Sequence, residues 1–435
     1  MTVHRPKTRV INQTNRGRPA AHTQQEVEPV KEGHPRDRVQ SLQDSRTWVP
    51  SRDAVLRSHG KPTSRLLARL TAWLRPHRPA SLAGRRRAAP RIAFVGFFEH
   101  NGGSANTLYG YFRAAQRLGY DIRASSLGIV DPVVQAMIPV AETEWEPDLM
   151  VLVFESHQFL HPDAVARIEK LIPRSRRVVV DQDGMYSPET RVGADTNHPT
   201  ADSQASWTSL FDRLSDTILQ PCLNPVTPGV RSFLYFGFER QSSPATETAS
   251  RRAYDIVYVG NNWYRWHDLV WLCRGLASVR ARLGRIAVFG KWWLDDAIPL
   301  YEEQTYSDPA FLRDHGVEMY PAVRFDEVER TMKQGRLNPV FVRPVLNELG
   351  FITPRMFETF AADTIPLLPP YLRIAVSLYG SEAQRLCLPD EPAGAVLSIL
   401  DRYADYVGLA QEIGAKLAKE HSYEVRLAQL LGFCR

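Results

Sequence analysis

At 435 residues the chain exceeds the ~250–300 residues at which a single core stops growing, so more than one domain is expected. Hydrophobic residues at 43% and charged residues at 23% exclude wholesale disorder. No stretch reaches the ~18 uninterrupted apolar residues of a spanning helix. The net charge of +6 hides an asymmetry: residues 1–90 hold 19 basic and 6 acidic residues, and the rest hold 35 and 42. A basic arm thus precedes an acidic body, and charge-driven nucleic-acid binding by the body is disfavoured. Cys222, Cys273, Cys387 and Cys434 are far apart. They fit reduced thiols in a cytosolic protein better than a disulfide framework or a zinc site.

Residues 1–60 are polar and lack a sustained apolar period, so they bury too little to offset chain entropy and are predicted disordered. The lack of an apolar segment after the start argues against export, and a bacterial-type extension is preferred to a transit peptide. One island, residues 64–75, places Leu66, Leu67, Leu70, Trp73 and Leu74 on one helical face beside Arg65, Arg69 and Arg75. Two readings stay open: a short helix packed on the body, which is preferred, or one lying on an anionic membrane surface. The arm is assigned to residues 1–89.

The body reads as two α/β halves. Residues 91–97 are a buried-strand run. A loop through Gly102 and Gly103, a helix marked by Leu108, Phe112, Ala115 and Leu118, and a strand at 121–123 complete a βαβ unit. Gly119 is placed to end the helix. Further strands are predicted at 149–154, 177–180 and 216–220. The polar stretch 241–252 reads as an interdomain linker. A second unit opens at 254–260, with strands at 285–289, near 320, weakly at 339–342, and at 364–368 after a helix at 355–362. Residues 90–240 and 253–415 form the two domains, and 416–435 a helical tail. Parallel sheets bind ligands beyond their strands' carboxyl ends, so a cleft between the halves is expected.

No Walker A loop, G-x-G-x-x-G, H-E-x-x-H or G-x-S-x-G element occurs. Gly102-Gly103 is either a tight turn or a substrate-facing loop. Asp181 and Asp183 offer a metal-binding pair or, preferably, a polar strand-end turn. His100, His157 and His161 are possible acid–base groups near strand ends. Asn261, Asn262 and Arg265 follow the first strand of the second half, where a phosphate can sit, and Lys291 follows a later one. Fixed cations there would stabilise a departing diphosphate without a metal. Thr353 is placed to cap a helix with Pro354 in its first turn, and Arg355 and Glu358 share one side of it. That helix would offer phosphate its first amides and Arg355, with Glu358 accepting from ribose hydroxyls. The alternative is a local Arg–Glu pair. Pro369, Pro370 and Tyr371 follow the last strand and are placed to shape a pocket.

The runs 254–260, 289–292, 350–358 and 421–426, with Leu337-Asn338, resemble GT-B-type glycosyltransferases of the group 1 kind, most of all their spore-maturation-protein-like branch. The resemblance spans residues 91–435 and is firmest in the second half. It implies two Rossmann-like domains facing a central cleft and a nucleotide diphosphate sugar donor. It implies no cofactor, and an acceptor that is a glycan, a lipid-linked sugar or a small molecule. Glu358 matches the ribose-binding glutamate and Arg355 a donor-site arginine, with Thr353, Asn262 and Asn338 assigned beside them. Arg265, Lys291, Gly103 and His100 are assigned to the reaction centre. Retention of configuration is implied by the resemblance alone. One departure is Gly350, which stands where many relatives carry a second, sugar-contacting glutamate. A binding protein that keeps the fold without turnover is therefore the alternative. The expected location is the cytoplasm, with the arm as a possible contact to the inner face of the membrane.

Overall fold

The computed structural model describes residues 89–433, except 97, 99–102, 127–145, 156–161, 199, 241–251, 295–296 and 300. The basic arm, the helix expected at 64–75, most of the linker, His100, Gly102, His157 and His161 lie outside the described residues.

The first half is built on a sheet of strands β1 (Arg91–Gly96), β2 (Asp121–Ser126), β3 (Leu149–Phe154), β4 (Arg177–Asp181), β7 (Ile218–Gln220) and β8 (Val230–Ser232). Their order is β2-β1-β3-β4-β7-β8, and every pairing is parallel. A small hairpin, β5 (Arg191–Val192) and β6 (Asp195–Thr196), interrupts the sequence between β4 and β7. Strand β3 is buried along its length, as expected of an apolar run covered on both faces. Helices α1 (Gly103–Leu118), α2 (Pro162–Leu171) and α3 (Ala201–Leu214) supply that cover. Gly119 has a φ of 72° directly after α1, which suits the residue expected to end that helix. Strand β8 was not foreseen. It has no apolar run, and it joins the edge of the sheet through backbone pairing with β7.

The second half carries strands β9 (Tyr254–Val259), β10 (Ile286–Phe289), β11 (Val317–Tyr320), β12 (Gly335–Pro339) and β13 (Ile365–Leu367), in the order β11-β10-β9-β12-β13, again all parallel. Helices α4 (Trp266–Leu276), α5 (Val328–Met332), α6 (Pro344–Glu348) and α7 (Arg355–Ala361) connect or follow these strands. The strand expected at 339–342 lies earlier. Gly335, Arg336 and Asn338 are poor strand formers, but β9 and β13 flank them and supply the ladder, so tertiary context overrides propensity.

Two long helices, α8 (Tyr403–Glu420) and α9 (Tyr423–Gly432), end the chain. Helix α9 packs back on α1 of the first half. The Tyr423 ring meets Tyr111 edge-on at 5.1 Å. The Tyr111 hydroxyl donates to the Tyr235 carbonyl at 2.7 Å, and Arg117 bridges Glu239 and Glu424. The halves also meet through backbone: the Ile352 N–H donates to the Pro221 carbonyl at 2.6 Å. Among the described residues no helix is long and apolar enough to cross a membrane. Cys222, Cys273 and Cys387 are free thiols.

Candidate active site in the cleft

The loops after β9 and β10 are knitted into one unit. Asn262 is fully buried and its Nδ2 donates to the carbonyls of Trp292 at 3.0 Å and Tyr306 at 2.6 Å. The Lys291 N–H donates to Asn261 Oδ1 at 3.0 Å, and the Lys291 carbonyl accepts from the Asn262 N–H at the same distance. A Cβ on Gly290 would stand 2.0 Å from the Gly260 carbonyl oxygen, so glycine is required there. Tyr264 and Trp292 hold left-handed φ angles of 55° and 65°, each costing roughly 1–2 kcal/mol. Such strain persists only where surroundings fix it and gathers at ligand sites. Here Asn262 fixes Trp292, and the Tyr264 hydroxyl donates to the Ala194 carbonyl of the first half at 3.2 Å.

This frame carries both predicted cations. Arg265 precedes α4, and its Nη1 donates to the Trp263 carbonyl at 2.7 Å. Lys291 is exposed, and its ammonium forms no ion pair among the described residues. Asn262 is thus a clamp for the loops that hold Arg265 and Lys291. Asn338 is buried in β12 and donates to the Met332 carbonyl at 3.2 Å, tying the strand to α5.

The Arg355–Glu358 pair forms on one side of α7, with Nη1 and Oε2 3.1 Å apart. Arg355 Nη1 also contacts Met332 Sδ at 3.1 Å. Glu358 faces a cavity of about 40 Å³ that Thr107, Arg113, Gly237 and Tyr423 help line. Both halves therefore contribute walls, and the space is that of a few waters. Thr353 corrects one expectation: α7 has no side-chain cap. Its first turn is closed by backbone, the Thr353 carbonyl accepting from the Met356 N–H at 3.1 Å, while the Thr353 hydroxyl is buried without a partner. Gly103 is the first residue of α1, at the carboxyl end of β1.

Asp181 and Asp183 each have protein partners. Asp181 is fully buried and accepts from the Met185 and Tyr186 N–H groups and from Gln220 Nε2 at 2.8, 3.0 and 2.9 Å. Burial pushes its carboxyl up to about 6. Asp183 instead faces Arg343 of the second half at 3.5 Å. Among the described residues no group of three or more His, Cys, Asp or Glu side chains gathers as a metal-ligand set.

Two contacts, and the burial of Arg426 at the end of the 421–426 run, were not read from the sequence. Arg343 Nη2 holds Asp195 Oδ1 at 2.9 Å across the cleft. Asp268, in the first turn of α4, accepts from the Tyr371 hydroxyl at 2.7 Å. Arg426 is buried, contacts His421 Nδ1, Gln429 Oε1 and the Phe236 carbonyl, and has no carboxylate partner among the described residues. Burial and the Arg426 charge drive the His421 imidazole down to about 4. An acid three residues after Arg265 was the available signal for Asp268. Gly350 has a φ of 66° at the end of α6, which explains glycine at the position where an acid was expected.

No family model and no curated protein matches the chain. Solved structures do. An α-glucosyltransferase in complex with UDP and a 13-mer DNA containing a central A:G mismatch is similar with a TM-score of 0.52 at 10% identity, over 80% of this chain and 100% of that one. A DNA-modifying β-glucosyltransferase aligns with a TM-score of 0.47 at 12% identity, over 79% and 99%. An α,α-trehalose 6-phosphate synthase from Burkholderia multivorans aligns with 0.46 at 9%, over 80% and 98%. At such identity the first likeness establishes the fold. Together with the two parallel sheets and the returning C-terminal helix, it is the GT-B arrangement of two Rossmann-like halves around a cleft.

Proposed function

We propose that the protein transfers a sugar from a nucleotide diphosphate sugar to an acceptor hydroxyl, with retention of configuration and without a metal. The observation that carries this reading is Glu358, which lines a cavity to which both halves contribute and has Arg355 beside it at 3.1 Å. A carboxylate there accepts from two ribose hydroxyls, and the guanidinium attracts the diphosphate. Arg265 and Lys291 stand at the carboxyl ends of β9 and β10. Fixed cations at that edge stabilise the charge that grows on the departing diphosphate, which is the part a metal would otherwise play. Retention rests on the resemblance to group 1 enzymes.

Donor entry parts the halves, as expected of a site whose walls come from both. Reclosure then excludes water from the reacting centre. UDP, the nucleotide in the similar α-glucosyltransferase complex, is the first to test. The DNA of that complex belongs to that protein. The acidic body of this chain disfavours a nucleic-acid acceptor, which leaves a glycan, a lipid-linked or a small-molecule acceptor. The basic arm adds a possible contact with an anionic membrane surface.

The test is release of nucleoside diphosphate from UDP-, GDP-, ADP- and dTDP-glucose by the full chain with EDTA present. Release from one of them supports the reading. Gly350, which puts no carboxylate where many group 1 enzymes carry a sugar-contacting one, favours a second reading, a nucleotide-sugar-binding protein without turnover. Binding with no release, with or without added divalent cations, selects that one.

A further inference from the structure

Three strand ends of the second half converge on one carboxylate. Asp268 sits in the first turn of α4, directly beyond central strand β9. Tyr371 comes from the loop after β13, and its hydroxyl donates to Asp268 Oδ2 at 2.7 Å. The backbone of Val342, beyond β12, lies against the same hydroxyl. This edge faces the first half, because Arg343 next to Val342 holds Asp195 there and Tyr264 reaches Ala194.

The bonding of Asp268 is incomplete. Its Oδ1 takes no hydrogen bond among the described residues. Arg265 is near enough to act on its charge, yet forms no ion pair with it and donates to the Trp263 carbonyl instead. A first-turn acid that served only the helix dipole would gain nothing from burial. Asp268 is half-buried, and burial raises its carboxyl to about 6. A half-buried carboxylate with one oxygen held and one free, beside a cation, suits a ligand that carries hydroxyls next to a negative charge.

We propose that Asp268, oriented by Tyr371, accepts a hydrogen bond from a hydroxyl of the transferred sugar and so sets which sugar the donor carries. This rests on the nucleotide-sugar reading above. In it Arg265 meets the diphosphate and Asp268 the hexose attached to it, with Tyr371 as a positioning residue.

The experiment is calorimetric titration of the full chain and of its Asp268→Asn and Tyr371→Phe variants. The probes are UDP, GDP, ADP and dTDP and the glucose conjugate of each. Asp268→Asn should weaken the bound sugar nucleotide on the order of tenfold and leave its bare diphosphate unchanged. Tyr371→Phe, which keeps the carboxylate and removes only its support, should weaken the sugar nucleotide about threefold with the same selectivity. Equal losses for both ligands, or no loss for either, overturn the assignment while the donor reading stands. No binding of any probe by the wild-type chain overturns the donor reading and this assignment with it. If Asp268→Asn does not fold, Tyr371→Phe decides alone.

Discussion

Arg343, from the segment after β12, holds Asp195 of the β5–β6 hairpin at 2.9 Å, and the Asp195 side chain is 1% exposed. One guanidinium thus joins the two halves at the edge where their strands end. The second Asp195 oxygen accepts from the Val345 N–H at 3.0 Å. Asp183 lies 3.5 Å from the same arginine, and the Tyr264 ring lies beneath it with its centroid 5.8 Å away.

Arg343→Ala leaves a buried carboxylate without its cation. The expected loss is about 3–5 kcal/mol, read from urea unfolding of the full chain. The double variant Arg343→Met, Asp195→Leu should recover a large part of it, because an apolar pair removes the charge that is left stranded. Equal stability of Arg343→Ala and wild type would show that the contact does not hold the halves together.

The packing of α9 on α1 depends on glycine. A Cβ on Gly110 would stand 2.2 Å from the Tyr423 ring, and one on Gly237 2.8 Å from the ring's other edge. Gly110→Ala should cost about 1–3 kcal/mol by overpacking. Adding Tyr423→Leu should return part of that cost, measured in the same unfolding series.

Asp181 gives a pH dependence with a definite sign. Its folded carboxyl is raised to about 6, above the unfolded value near 3.9. The native state therefore binds the proton more tightly. The stability this contributes is fully present below about pH 4 and is lost as pH climbs through about 6. His421, held down to about 4, runs the opposite way as pH climbs from about 4 to about 6.5. The difference between wild type and Asp181→Asn isolates the carboxyl. Wild-type stability should fall relative to the variant between about pH 4 and 6, and a flat difference would contradict the assignment.

Lys291 is exposed and bears no ion pair among the described residues. Lys291→Ala should leave folding intact and lower the rate of nucleotide release on the order of 10²-fold. A change in KM alone would make Lys291 a binding group and remove it from the leaving-group role.

The strands were legible wherever the chain writes an apolar run. Residues 149–154 and 254–259 are such runs, buried along their length or nearly so. Strands β8 and β12 were missed or misplaced because their residues are polar or glycine, and only neighbouring strands make them strands. Within the candidate site, Arg355 and Glu358 were legible because residues three apart on one helix share a side. Arg343–Asp195 and Asp268–Tyr371 were not, since each joins residues more than 100 positions apart. Only the fold brings such partners together. Asn262 was read as a ligand group from its place after a strand, but sequence does not say which way a side chain turns. In the structure its amide holds the Trp292 and Tyr306 carbonyls.

The central claim is that the Arg355–Glu358 pair binds the nucleoside diphosphate of a sugar donor. Its most direct test is thermal unfolding of the full chain with UDP, GDP, ADP and dTDP, beside Arg355→Ala and Glu358→Ala. A nucleotide at ~100 times its dissociation constant adds about 2.7 kcal/mol to folding stability, which raises the melting temperature visibly. One nucleotide should raise it in the wild type and in neither variant. No shift with any nucleotide, or the same shift in all three proteins, would contradict the account.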